Sequence, residues 1–140
     1  MIANHAFLYI GTSISLSPLG MITVCPGGQL LLTCEMVSDS ISQLIWDVSV
    51  PRMAGATTSQ RIIVPASPGV LLSPDFKIGI TEFNVTRTSD SPLTSQLLIS
   101  NVTTEINGST IYCSEDGDGN GAPMVTIDVT SEGIIIHTWV

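Results

Sequence analysis

The sequence predicts an all-β fold, a two-sheet antiparallel sandwich, on three observations. Short runs rich in Val, Ile, Leu and Thr recur along the chain, separated by clusters of Gly, Pro, Ser and Asp. Few windows carry the i, i+3, i+4, i+7 spacing of an amphipathic helix, so nothing is expected to cover a parallel sheet. Two cysteines and a tryptophan, Cys34, Cys113 and Trp46, lie in such runs. At 140 residues the chain has room for one sandwich, which takes roughly 100.

The elements follow in order. Residues 1–20 hold one weakly apolar run, Ala6-Phe7-Leu8-Tyr9-Ile10, with no Lys or Arg before it and no clear cleavage site. That segment reads as a poor signal peptide or an irregular leader. Strands are expected at Ile22 to Val24 and Gln29 to Met36, with Pro26-Gly27-Gly28 as the turn between them. Further strands are expected at Gln43 to Val50 (closed by Pro51), Arg61 to Val64, Phe76 to Thr86, Leu93 to Asn101, Ser109 to Ser114 and Met124 to Thr130. Within Phe76 to Thr86, Ile78 and Ile80 share one parity and Phe83 and Val85 the other, so a bulge or break near Thr81-Glu82 is expected. Ala54 to Pro74, rich in Thr, Ser and Pro, reads as irregular loop. Residues 21–131 are thus assigned to the domain and 132–140, with Ile134-Ile135-Ile136, to an apolar tail. The chain is expected to be part of a larger multidomain protein.

Charge excludes several functions. Twelve acidic residues stand against four basic ones, Arg52, Arg61, Lys77 and Arg87, for a net charge of −8. Nucleic-acid binding needs clustered cations, and these four are scattered singly. The same scarcity argues against an anionic membrane surface, and no run of about 18 apolar residues is available to insert. Charged residues make up only 11% of the chain, against about 25% in an average domain. Ser, Thr, Asn and Gly, and attached sugar, are expected to keep the surface wet.

The most informative residues lie near the middle of three strands. Alternation puts Leu30, Leu32 and Cys34 on one face, and Ile111 and Cys113 on one face of another run. Trp46 follows Cys34 in Leu44-Ile45-Trp46, and Leu97-x-Ile99-x-x-Val102 precedes Gly108. Pro26-Gly27-Gly28-x-Leu30-x-Leu32-x-Cys34, Trp46, Leu97-x-Ile99-x-x-Val102 and Gly108 to Cys113 together resemble the immunoglobulin superfamily, closest to its variable-like or intermediate sets. The resemblance covers about Ile22 to Thr130. Val24-Cys25-Pro26-Gly27 and Asn107-Gly108-Ser109-Thr110-Ile111 look similar to immunoglobulin-like domains of early-branching animals. The resemblance implies an immunoglobulin-like sandwich with a Cys34–Cys113 inter-sheet disulfide packed on Trp46, and Leu32, Leu97, Ile99, Val102 and Ile111 in the core. Two features of the family are missing. Ile111 stands where a corner tyrosine is usual, and Asn107 stands near the place of an acidic residue that pairs with an arginine.

Three Asn-x-Ser/Thr sites, at Asn84, Asn101 and Asn107, are candidates for glycosylation in a secreted chain. Cys25 is the odd cysteine, with three readings: a partner outside this sequence, an intermolecular bridge, or a free thiol, inert if buried. The acidic stretch Glu115-Asp116-Gly117-Asp118-Gly119-Asn120-Gly121 reads as a hairpin turn whose Glu115, Asp116, Asp118 and Asn120 are candidate ligand contacts. Asp116, Asp118 and Asn120 match the first half of an EF-type calcium loop, but Ile127 occupies the place of the closing Glu, so no metal is assigned.

No cofactor is expected, and no enzyme. Gly-x-Ser-x-Gly, Gly-Lys-Ser/Thr, His-Glu-x-x-His and Cys-x-x-Cys are all absent, and the two histidines, His5 and His137, lie at the ends of the chain. The expected function is an extracellular recognition or adhesion module, of receptor or immune type, binding a protein partner or another copy of itself. The alternatives are a spacer domain in a tandem array and a calcium-dependent adhesion domain using residues 115–121. The loops after Cys34, between Val50 and Pro74, and at Glu115 to Gly121 are the expected contact regions.

Overall fold

The computed structural model describes residues 14–37, 43–52, 57–66, 75–116 and 121–130. Within them the chain forms β1 (Ile14–Ser17), β2 (Gly20–Val24), β3 (Leu30–Met36), β4 (Gln43–Pro51) and β5 (Thr57–Pro65), then β6 (Asp75–Ile78), β7 (Thr81–Asp90), β8 (Leu93–Ser100), β9 (Thr110–Ser114) and β10 (Met124–Val129). A 3-10 turn, Thr104–Ile106, precedes β9. The strands make two five-stranded sheets, ordered β1-β3-β8-β7-β6 and β2-β10-β9-β4-β5. The result is an all-β sandwich closed by a Cys34–Cys113 disulfide between β3 of the first sheet and β9 of the second.

Alternation builds the interior. β8 buries Leu93, Ser95, Leu97 and Ile99 and leaves the residues between them partly exposed. β3 buries Leu32, Cys34 and Met36, and β4 faces them with Leu44, Trp46, Val48 and Val50. Ile62 and Val64, Ile111 and Cys113, and Val125, Ile127 and Val129 complete the second sheet's inner face. The sheets therefore meet over one apolar layer, whose burial is the main stabilising term.

The expected sandwich is present, and one pair within it is parallel: β2 runs alongside β10, Val125 opposite Gly20 and Val129 opposite Val24. Two expectations need correction. Ile14 to Ser17, grouped by the sequence with the irregular leader, is strand β1 on the edge of the first sheet, pairing Ile14 with Met36 and Ser17 with Thr33. Its signal is the short alternation Ile14-Ser15-Leu16-Ser17, with the two apolar residues buried. The chain then crosses at Pro18-Leu19 and enters the second sheet as β2, so one N-terminal segment ties both sheets. Phe76 to Thr86 is not one interrupted strand. It is the hairpin β6–β7, turned at Gly79-Ile80, where Gly79 adopts φ 61 and Ile80 points to solvent. The irregularity of β7 lies farther on, between Arg87 and Ser89.

Strand register defines two ends. At the lower end lie the start of β3, the end of β4 and the segment 101–109; at the upper end lie the end of β3, the start of β4 and Glu115. The Pro26-Gly27-Gly28 turn docks at the lower end. Gly27 donates to the carbonyl of Val102 at 2.7 Å, and Val102 donates back to that of Gly28 at 3.2 Å. A side chain at residue 28 would meet the Cys25 carbonyl oxygen at 2.9 Å, which explains glycine there. Residues 1–13 and 131–140, including most of the leader and the Ile134-Ile135-Ile136 tail, lie outside the described residues.

Candidate recognition surface

The interior is built around two parallel ties between the sheets. Cys34 and Ser95 are register partners on β3 and β8, and Cys113 and Trp46 are register partners on β9 and β4. The disulfide joins the first member of each pair. Beside it, Trp46 Nε1–H donates to Ser95 Oγ at 2.9 Å, and Ser95 Oγ–H donates to the Thr86 carbonyl at 2.7 Å. Trp46 and Ser95 are both fully buried, so this chain leaves no polar atom unpaired in the middle of the core. Ser95 was not picked out from the sequence. A serine at an inward position in a run such as Leu93-x-Ser95-x-Leu97-x-Ile99 is the signal that could have found it.

The other core candidates, Leu32, Leu97, Ile99, Val102 and Ile111, are each no more than 1% exposed. Cys25 is half-buried in the turn after β2 and forms no disulfide. Asn84 lies on the outward side of β7, Asn101 directly after β8 with φ 55, and Asn107 at the end of the 3-10 turn. Among the acidic candidates, Glu115 and Asp116 are exposed, and the Glu115 carbonyl accepts a bond from Gln43 Nε2 at 3.2 Å. Asp118 and Asn120 lie outside the described residues, as do residues 38–42, 53–56 and 67–74 of the expected contact loops. Among the described residues no group of three His, Cys, Asp or Glu side chains is placed to hold a metal, and no helix is long and apolar enough to cross a membrane.

The outward faces of the sheets differ. On the second sheet one row runs Ile63–Ile45–Ser114, the next Arg61–Asp47–Tyr112–Met124, and the next Ser59–Ser49–Thr110–Thr126–Met21. Arg61 Nε and Nη2 grip the two Asp47 oxygens at 2.7 and 3.4 Å. The hydrogen bond to Asp47, then its charge, raises the Arg61 pKa above its ordinary value. Opposite charges side by side leave that part of the face neutral. Met21, Ile63 and Met124 stand exposed on it at 70%, 46% and 37%, and Ile45, although outward, is buried. Asp128 is the remaining charge, opposite Thr23 on β2. The first sheet's face carries Glu35, Asp75, Lys77 and Glu82 instead.

At the lower end an open groove of about 770 Å³ is lined by Pro51, Arg52, Thr104, Glu105 and Asn107. Arg52 and Glu105 close across it at 3.0 Å with both side chains well exposed. An exposed pair of this kind adds little stability.

No protein-family model matches the sequence, and no curated protein matches it. Among solved structures, the chain is similar to one from a study described as "Structural basis of T cell specificity and activation by the bacterial superantigen toxic shock syndrome toxin-1". The TM-score is 0.55 at 14% identity, over 84% of this chain and 98% of that one. The likeness concerns the fold alone.

Proposed function

We propose that this chain is an immunoglobulin-superfamily domain of the variable-like kind, acting outside the cell as a recognition module for a protein partner. Strand order supports the family reading. The runs β1-β3-β8-β7 and β10-β9-β4 follow the two sheets of that fold, with the disulfide on its second and sixth strands and the buried tryptophan on its third. β5, added beside β4, is the addition that the variable kind makes. A core disulfide supports an oxidising compartment.

One observation carries the binding reading: the outward face of β2-β10-β9-β4-β5 combines exposed Ile63, Met21 and Met124 with a self-neutralised Asp47–Arg61 pair. On a chain of net charge −8, this is ground that another protein can cover with its central charges already paired, Asp128 lying apart from them opposite Thr23. Displayed at high density, the secreted domain is expected to bind a partner on cells, in matrix or on itself. Ile63→Asp should weaken that binding at least tenfold, and Glu82→Lys on the other sheet should leave it unchanged. Binding to none of these removes the reading. Loss on Glu82→Lys with retention on Ile63→Asp transfers the partner to the first sheet.

A further inference from the structure

The three glycosylation sequons differ in what the fold asks of them. Asn101 holds φ 55, a left-handed conformation in which Asn is one of the few side chains found readily, and its carbonyl accepts from Thr81 Oγ1 at 2.9 Å. Thr103, which completes that sequon, caps the 3-10 turn by accepting from the Glu105 N–H. Asn107 Oδ1 accepts from the Val129 N–H at 2.7 Å, and Ser109, which completes its sequon, is buried with its hydroxyl on the Ile106 carbonyl. Both lower-end sequons are therefore spelled by residues the corner needs.

Asn84 has no such role. It stands in the middle of β7, where Asn is disfavoured, and its carboxamide has no hydrogen-bond partner among the described residues. Its register partner on β8 is Leu98, and Leu98 is paired in turn with Leu31, which is 47% exposed. Thr86, the third residue of this sequon, is exposed on the same face. A strand asparagine without a structural partner among the described residues thus sits between an outward pair of leucines on one side and Asp75, its register partner on β6, on the other.

We propose that Asn84 is the site of an N-linked glycan, and that its first N-acetylglucosamine residues lie over Leu98 and Leu31 and cover the first sheet's outward face. The new bond joins Asn84 Nδ2 to the anomeric carbon of the sugar; the lipid-linked oligosaccharide donor loses its diphosphate carrier, and the Nδ2 proton leaves with it. The proposal rests on the extracellular reading, and it gives that reading a geometry, since sugar on the first sheet leaves the second open to a partner.

The test is to express the full chain behind an added secretion signal in a eukaryotic cell and map its glycopeptides without reduction. Sugar on Asn84 in protein carrying the Cys34–Cys113 bond is the expected result. Asn84→Gln and Thr86→Val should each remove one glycan. Both should then self-associate with rising concentration, and adding Leu31→Ser should reverse this. A secreted, bridged chain bare at Asn84 overturns the proposal, whatever Asn101 and Asn107 carry, and leaves the recognition reading standing. Sugar at Asn84 with no change in association on its removal overturns the covering role. A glycosylated chain that binds no partner breaks the recognition reading and leaves this one intact.

Discussion

The middle of the sandwich and its lower corner hold the two sheets together by different means. In the middle a covalent bond and a tryptophan do it: Cys34–Cys113, and beside it the bond from Trp46 to Ser95. At the corner Ile106 is buried, and the bonds come from short side chains and the backbone. Ile111 occupies the tyrosine place of the resembled family, and small polar groups close the turn instead. Ser109 bonds to Ile106, Gly108 N–H to the Ile127 carbonyl at 2.8 Å, and Asn107 to Val129. The difference teaches that a buried corner needs its backbone groups paired, not any one residue to pair them. A core bridge has no such substitutes.

That contrast predicts unequal losses. Replacing Cys34 and Cys113 together by Ala removes a crosslink spanning 79 residues, and the chain-entropy model gives a loss of about 4.5 kcal/mol. Urea unfolding of the double variant against the parent reads this directly. A loss no larger than that of a corner substitution would erase the distinction between the two regions.

Next in size is Ser95→Ala. It leaves the Trp46 Nε1–H buried without an acceptor, which costs about 1–3 kcal/mol. Trp46→Phe removes the donor, so the double variant should lose measurably less than the sum of the single ones. Strict additivity would mean that the hydrogen bond is not a tie between the sheets, and that the middle rests on the disulfide and packing alone.

The middle was also the part the sequence disclosed. Leu32, Cys34, Leu97, Ile99, Ile111 and Cys113 all sit at alternating positions in runs long enough for parity to be read, and parity is what a two-sided strand writes into a sequence. Ser95 obeyed the same parity but was passed over, because a polar residue at an inward position has no meaning until its partner across the core is known. The corner was illegible for a related reason. Asn107, Ser109 and Thr103 act on backbone atoms that are brought together by the turn itself, and local sequence carries no mark of that. β1 was missed because four residues ahead of Pro18 give too short an alternation to separate from a leader. The neutral face of the second sheet needed register too: Asp47 and Arg61 are 14 residues apart in the chain and meet only because β4 and β5 pair. Before pairing they count as one acid and one base on a sparsely charged chain.

Asn107 offers the smallest and sharpest test of how the corner works. Asn107→Ala strips the acceptor from the partly buried Val129 N–H, with an expected loss of about 1 kcal/mol. Asn107→Asp keeps an oxygen at the same place and should recover most of that loss, although it adds a negative charge to a chain already at −8. Both substitutions delete the sequon equally, so any difference between them belongs to the hydrogen bond and not to a sugar. Measuring the two by denaturant midpoint, with hydrogen exchange at Val129 as the local readout, separates the possibilities. If Asp rescues both stability and protection, the corner is held by an acceptor that any short side chain could present, as its departure from the tyrosine arrangement implies. If Asp and Ala lose stability alike and Val129 stays protected, that backbone group is satisfied elsewhere, and the corner depends on packing around Ile106 and Ile111, much as the middle does around Trp46.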